Sequence, residues 1–224
     1  MQRALIVEDE TLLCEVYQRI LETLQIEEKV PPLFTTICKD FKTALTAIDR
    51  MSRNNHMLDL CILDYRLGTT KSDETKNGLE IGLLVNQLFP HCKILVITGI
   101  VGHYVFHSVL EHLKPAGFLI KNDTHLASLK RDFSAVWEGE TVYSKQVSTF
   151  IKRSGSLRIP LDGRDLELLH LMDKGFTLPE IGHKIGLSLS GIEYRKRKIA
   201  TSIGANSASI QDVLKTAKQR LKLI

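Results

Sequence analysis

The sequence predicts an α/β protein of two parts, a doubly wound (βα)5 domain followed by a second, all-α domain. Three observations carry this. Short apolar runs alternate with longer helix-period patterns through residue 138, the alternation stops after Trp137-Glu138-Gly139, and beyond the small, basic stretch Lys152-Arg153-Ser154-Gly155-Ser156 the chain reads helical throughout. The runs Ala4–Val7, Leu33–Cys38, Leu58–Leu63, Ile94–Ile97 and Gly117–Ile120 read as strands. Segments 10–25, 40–54, 79–89, 103–113 and 124–137 carry apolar residues at helical spacing, as in Leu126, Leu129, Phe133 and Val136. Strands that alternate with helices form a parallel sheet covered on both faces, with the ligand site at the carboxyl ends of the strands. Segments 162–173, 178–185, 189–201 and 207–222 read as four further helices, punctuated by Gly175, Gly186 and Gly204, where left-handed caps let the chain turn. The expected domains are 1–138 and 158–224, joined by a connecting helix and linker over 139–157.

Composition narrows the class. Of 224 residues, 43% are apolar and 25% charged, a globular balance that argues against disorder. The net charge of +4 is unevenly spread: from Ser154 onward there are twelve Lys and Arg against seven Asp and Glu, which points to a polyanionic partner for the C-terminal part. Cys14, Cys38, Cys61 and Cys92 are widely separated, form no CxxC pair and mostly sit beside apolar residues, as buried reduced thiols of a cytoplasmic protein do. No stretch approaches the roughly 20 apolar residues needed to span a bilayer, so no membrane association is expected.

Polar residues collect where the predicted strands end. Glu8 and Asp9 follow Ala-Leu-Ile-Val, Asp64 follows Leu-Cys-Ile-Leu, Thr98 follows Lys93–Ile97, and Lys121 follows Gly117–Ile120. A parallel sheet brings these ends together. Three converging carboxylates repel one another unless a hard cation joins them, and Mg2+ prefers carboxylate, carbonyl and water oxygens. With a hydroxyl and an ammonium added, the set suits a phosphoryl group.

Over about residues 1–138 this order, Glu8-Asp9, Asp64, Thr98, Lys121, resembles the flavodoxin-like receiver domain of two-component response regulators. The resemblance implies that Asp64 is the phosphoacceptor and that a histidine kinase is its phosphodonor. It also implies that Glu8, Asp9, Asp64 and the backbone carbonyl of Arg66 hold Mg2+, that Thr98 and Lys121 bind phosphate oxygens, and that Phe118 is the switch aromatic. Two departures stand out. The polar segment Gly68–Lys76 lengthens the loop after Asp64, and Asn122 follows Lys121 where receivers commonly have proline. Near the fourth helix, Tyr104 and Phe106 make the surface unusually apolar, and His103 and His107 lack the third ligand that a metal site needs.

In the second part, Thr177 and Ser188 suit helix N-caps, Pro179 an early helical position, and Gly186 a tight turn, the punctuation of a helix-turn-helix. The run from Leu161 to Ser209 resembles the LuxR-type DNA-binding domain of the NarL/FixJ family. That resemblance makes residues 189–201 the recognition helix for double-stranded DNA, with Ser190, Gly191, Glu193, Tyr194, Arg195 and Arg197 facing the major groove. Lys184, Lys196 and Lys198 fall to the phosphates, and Ile192, Ile199 and Ile203 to the core. Glu193 is an acid where relatives usually carry none, and Arg195 stands where they usually carry histidine.

The expected protein is therefore a phosphorylation-controlled, DNA-binding transcription regulator, not an enzyme, that dimerises with itself when phosphorylated. One alternative is a receiver protein whose helical output domain binds protein rather than DNA. Another is a magnesium-dependent phosphohydrolase with Asp64 as nucleophile, against which stands Arg66 where a second acid is needed.

Overall fold

A computed structural model describes residues 2–67, 77–154 and 161–221, so the Gly68–Lys76 insertion lies outside the described residues. The chain forms two compact units, one of residues 1–101 and 109–149, the other of residues 102–108 and 150–224.

In the first unit the elements are β1 (Gln2–Val7), α1 (Thr11–Ile26), β2 (Leu33–Cys38), α2 (Phe41–Arg53), β3 (Leu60–Leu63), α3 (Gly78–Leu88), β4 (Lys93–Thr98), β5 (Gly117–Ile120), α5 (Leu126–Glu138) and β6 (Val142–Tyr143). Helix α4 (His103–Ser108) precedes a π-helical turn at Val109–Leu113, and α6 (Lys145–Ser154) follows β6. The strands pair in parallel in the order β2-β1-β3-β4-β5-β6. The five predicted strands and the helices between them are present, and the sheet gains one short strand. A two-residue strand shows no periodicity, so β6 had no sequence signature.

Continuous apolar runs become strands here because helices cover both faces. Every residue of β3 and β5 is buried, and Ala4 through Val7 of β1 are fully so. One layer is supplied by Tyr17, Ile20, Leu21 and Leu24 of α1 together with Leu129, Phe133 and Val136 of α5, which pack on Ile6, Ile62, Leu95 and Leu119. The rings of Tyr17 and Phe133 meet at 5.9 Å between centroids. On the other face α2 packs beside α3, and Gly82 of α3 admits the Leu113 side chain so closely that a Cβ would stand 2.7 Å from it. All four cysteines are unpaired and buried, and among the described residues no helix is long and apolar enough to cross a membrane.

The second unit is built on α7 (Gly163–Asp173), α8 (Leu178–Ile185), α9 (Leu189–Ile203) and α10 (Ile210–Leu221) around Leu168, Leu169, Met172, Ile181, Ile192, Ile199, Ile203 and Val213. Its punctuation is chemical. Thr177 opens α8 with its N–H and hydroxyl both donating to Glu180, at 2.8 and 2.7 Å, and Ser188 opens α9 by accepting from the Gly191 N–H at 3.2 Å. Gly186 and Gly204 close α8 and α9 at φ 66°, where a side chain would be strained. Residues 102–108 belong to this unit, in which Tyr104 stacks on His170 at 4.6 Å and Phe106 meets Phe150 edge-on at 5.4 Å. The apolar character around Tyr104 and Phe106 is thus spent on ring contacts.

One glycine positions the site. Gly78, the first residue of α3, donates its N–H to the Tyr65 carbonyl at 2.7 Å, and a Cβ there would lie 2.0 Å from the Asp64 carbonyl oxygen. Gly78→Ala must therefore push α3 away from the end of β3, an overpacking that costs about 1–3 kcal/mol. Urea unfolding followed by circular dichroism should show this loss, whereas Gly102→Ala, with nothing within 4 Å, should be near neutral. Equal stability of the two variants would refute the steric account.

Candidate functional site

Strand register fixes who meets whom. Val7 pairs with Leu63, so Glu8 and Asp64 emerge side by side, held by Asp64 N–H donating to the Val7 carbonyl at 2.9 Å and Glu8 N–H to the Cys38 carbonyl at 3.0 Å. Thr98 pairs with Ile120, which sets Lys121 one step beyond Thr98 on the neighbouring strand. The sheet thereby gathers Glu8, Asp9, Asp64, Thr98 and Lys121 at one edge.

Lys121 ties the acids together. Its Nζ donates to Asp64 Oδ2 at 2.8 Å, to Glu8 Oε1 at 2.9 Å and to Glu10 Oε1 at 3.0 Å. Asp64 Oδ1 accepts from the Arg66 N–H at 3.1 Å. The Thr98 side chain is fully buried, its Oγ1 accepting from the Ile100 N–H at 3.1 Å, and Phe118 is fully buried in β5. Beside Thr98, Gly99 leaves space: a Cβ there would come no nearer than 3.9 Å to Lys121. Glu10 is the member of this set that sequence reasoning passed over. Its only signal was adjacency in Glu8-Asp9-Glu10, and at the start of α1 it looked like a solvated residue.

The electrostatics remain unbalanced. Burial, and next the charge of Asp64, push the Glu8 carboxyl up to about 7 in spite of Lys121. Burial likewise raises Asp64, against the opposing hydrogen bond and charge of Lys121. Burial works to lower Lys121, but the hydrogen bond and charge of Asp64, with those of Glu8 and Glu10, hold it above the ordinary lysine range. Glu8 Oε2 is buried with no hydrogen-bond partner. Carboxylate oxygens of Glu8, Asp9 and Asp64 lie within 4.8 Å of one another. An orphaned buried oxygen in a hard, oxygen-rich, net-negative cluster fits a divalent cation of the magnesium class.

On α9 the predicted contact residues sort into two faces. Ser190, Tyr194 and Arg197 are exposed at helical spacing, Tyr194 by 70%. Ser190 Oγ lies 3.0 Å from Ser188 Oγ, Gly191 belongs to the N-cap, and Lys184 Nζ sits 4.6 Å from the centre of the Phe176 ring. The other four predicted contact residues have partners within the unit. Lys196, assigned above to a phosphate, is only 9% exposed and pairs with Glu193 at 3.0 Å, because i and i+3 share a helix face. Glu193 thus has a cation partner on its own helix. Arg195 is held by Asp162 at 2.9 Å and Asp165 at 2.5 Å, and Lys198 donates to Asp165 at 2.9 Å.

Asp165 is fully buried and also closes a capping box with Asp162 at the start of α7. The sequence suggests a cap there but not two cations arriving from α9. Removing a buried charge that partners two cations costs about 3–5 kcal/mol. Asp165→Ala should lower the urea stability of the second unit by that order, while Asp173→Ala, which breaks the more exposed pair with Lys218, should cost below about 1 kcal/mol. Equal losses would show that Asp165 does not anchor α9.

No family model matches the chain. Among curated proteins it is 27% identical over 189 residues to the oxygen regulatory protein NreC of Staphylococcus epidermidis, covering 75% of this chain and 82% of that protein. To the protein of the same name from Staphylococcus aureus it is 28% identical over 166 residues, covering 65% of this chain and 74% of the other. Among solved structures, the response regulator RcsB of Salmonella typhimurium matches with a TM-score of 0.61 at 18% identity over 96% of each chain. RcsB of Salmonella enterica serovar Typhimurium, bound to promoter rprA in the presence of the phosphomimetic BeF3-, matches with a TM-score of 0.64 at 17% identity, again over 96% of each chain. At these identities the solved structures speak for the fold.

Proposed function

We propose that this chain is a response regulator of the NarL/FixJ family, which binds DNA under the control of a phosphoryl group carried on Asp64. The observation that supports this most is the placing of Asp64 itself. It is a buried carboxylate at a strand end, held by Lys121, with Glu8 and Asp9 within a cation's reach.

Glu8, Asp9, Asp64 and the Arg66 carbonyl would hold Mg2+, which supplies charge neutralisation for phosphoryl transfer. An Asp64 carboxylate oxygen attacks the phosphorus of a phosphohistidine on a histidine kinase, the P–N bond breaks, and the imidazole leaves with a proton from solvent. Asp64 needs little activation, because its carboxylate is already a nucleophile. The new phosphoryl oxygens then compete for the Lys121 ammonium and the Thr98 hydroxyl, which donate charge-assisted hydrogen bonds to them. Withdrawal of Thr98 toward the phosphoryl group opens space for Phe118, and the population shifts toward a DNA-binding homodimer.

For the second unit, Ser190, Tyr194 and Arg197 form the face that enters the major groove, with Lys184 toward the phosphates. The pairing of Glu193 with Lys196 offsets the repulsion that an unpaired acid on this helix would exert on DNA.

With Mg2+ and acetyl phosphate, intact-mass analysis should find one phosphoryl group per wild-type chain, lost on chelating the metal and absent from Asp64→Asn. Undiminished labelling of Asp64→Asn would overturn the assignment.

A further inference from the structure

Helix α6 begins in an unusual way. The first N–H groups of a helix lack intrahelical acceptors and are normally served by a local Ser, Thr, Asp or Asn side chain. Ser144 stands where that cap belongs, its carbonyl already accepting from the Ser148 N–H at 2.9 Å, yet its hydroxyl is buried without a partner. The acceptor comes instead from another element. Asp123 Oδ2 accepts from the Gln146 backbone N–H at 3.0 Å, and Asp123 Oδ1 from Gln146 Nε2 at 2.9 Å.

Asp123 ends the one-turn 3-10 helix Lys121–Asp123 that Lys121 begins. Thr124 stitches this turn, its hydroxyl bonding the Ile120 and Lys121 carbonyls at 2.7 and 3.0 Å. The turn is anchored at its other end by the three carboxylates around the Lys121 ammonium. Just upstream, the Ser144 N–H donates to the Phe118 carbonyl at 3.1 Å. The start of α6 is thus bonded to the residue two places beyond Lys121 and to the backbone of Phe118.

We infer that Asp123 and Gln146 are positioning residues, a tertiary cap that makes the first turn of α6 depend on the Lys121 turn and so carries the state of Asp64 into α6. The transmitted part of this inference rests on phosphorylation of Asp64. When the phosphoryl group draws the ammonium from Glu8 and Glu10, the stitched turn moves with it and the Asp123 carboxylate leaves the Gln146 N–H. The same chain then runs on through α6 into residues 150–154, which belong to the second unit. Ser144, with its unused hydroxyl, is a local cap available once Asp123 withdraws.

Hydrogen-exchange mass spectrometry on the full chain tests this over residues 144–150, with and without Mg2+ and acetyl phosphate, and with intact mass reporting the label on Asp64. Before phosphorylation, Asp123→Ala should speed exchange of the first turn of α6 about five-fold, the usual consequence of losing a cap, and Asp123→Asn, which keeps an acceptor oxygen, should restore most of the protection. On phosphorylation the wild type should move toward the faster exchange of Asp123→Ala, while the variant is labelled as fully and shows little further change. Unaltered α6 exchange in unphosphorylated Asp123→Ala would overturn the cap. A labelled wild type with unchanged α6, or a labelled variant with a wild-type-sized response, would overturn the transmission. Absence of any label would instead sink the phosphoacceptor reading, with the cap still judged by the unphosphorylated pair. A variant too unstable to handle is replaced by Asp123→Ser, whose shorter side chain leaves the Gln146 N–H without its acceptor; it should speed exchange in the same place and leave labelling intact, and unchanged exchange in it overturns the cap equally.

Discussion

The first unit depends on one ammonium group among three carboxylates. Lys121 reaches Asp64, Glu8 and Glu10 within 3.0 Å, and two of those acids are almost wholly buried. Without it, adjacent strand ends would present unscreened like charges in a low-dielectric pocket, where repulsion is strongest. Lys121 does not complete the balance, as the raised Glu8 carboxyl and the orphaned Glu8 oxygen show. A site that is held together but left short of positive charge is suited to receive a cation. It is also suited to respond when the lysine is offered a better anion.

The second unit uses the same physics for another end. Asp165, fully buried, gathers Arg195 and Lys198 and fixes α9 against the start of α7. Arg195, Lys196 and Lys198 have partners within the unit, so the basic run Arg195-Lys196-Arg197-Lys198 is not a uniform patch. Arg197 and Tyr194 point outward while their neighbours secure the helix. Rigid support beneath an exposed face is what the reading role proposed for α9 would need.

Much of this was legible in the sequence, for a physical reason. Strands buried on both faces announce themselves as apolar runs, and a parallel sheet brings whatever follows them to one edge, so Glu8, Asp64, Thr98 and Lys121 could be placed together from position alone. Gly186, Thr177 and Ser188 were legible because caps demand particular residues. Contacts that depend on tertiary packing were not. Asp123 meeting Gln146, Asp165 meeting Arg195, and Glu10 turning toward Lys121 join residues whose local sequence carries a complete and different explanation. The pairing of Lys196 with Glu193 was not legible, because basicity alone does not say which face of a helix a residue occupies.

In the proposed function, the state of Asp64 governs what the second unit binds. Fragments of the genome that encodes the protein can be captured by the full chain with and without Mg2+ and acetyl phosphate, and sequenced. The expected result is a small set of fragments sharing paired half-sites, enriched only after phosphodonor treatment and lost in Asp64→Asn. The same fragments recovered equally from treated, untreated and Asp64→Asn protein would contradict it.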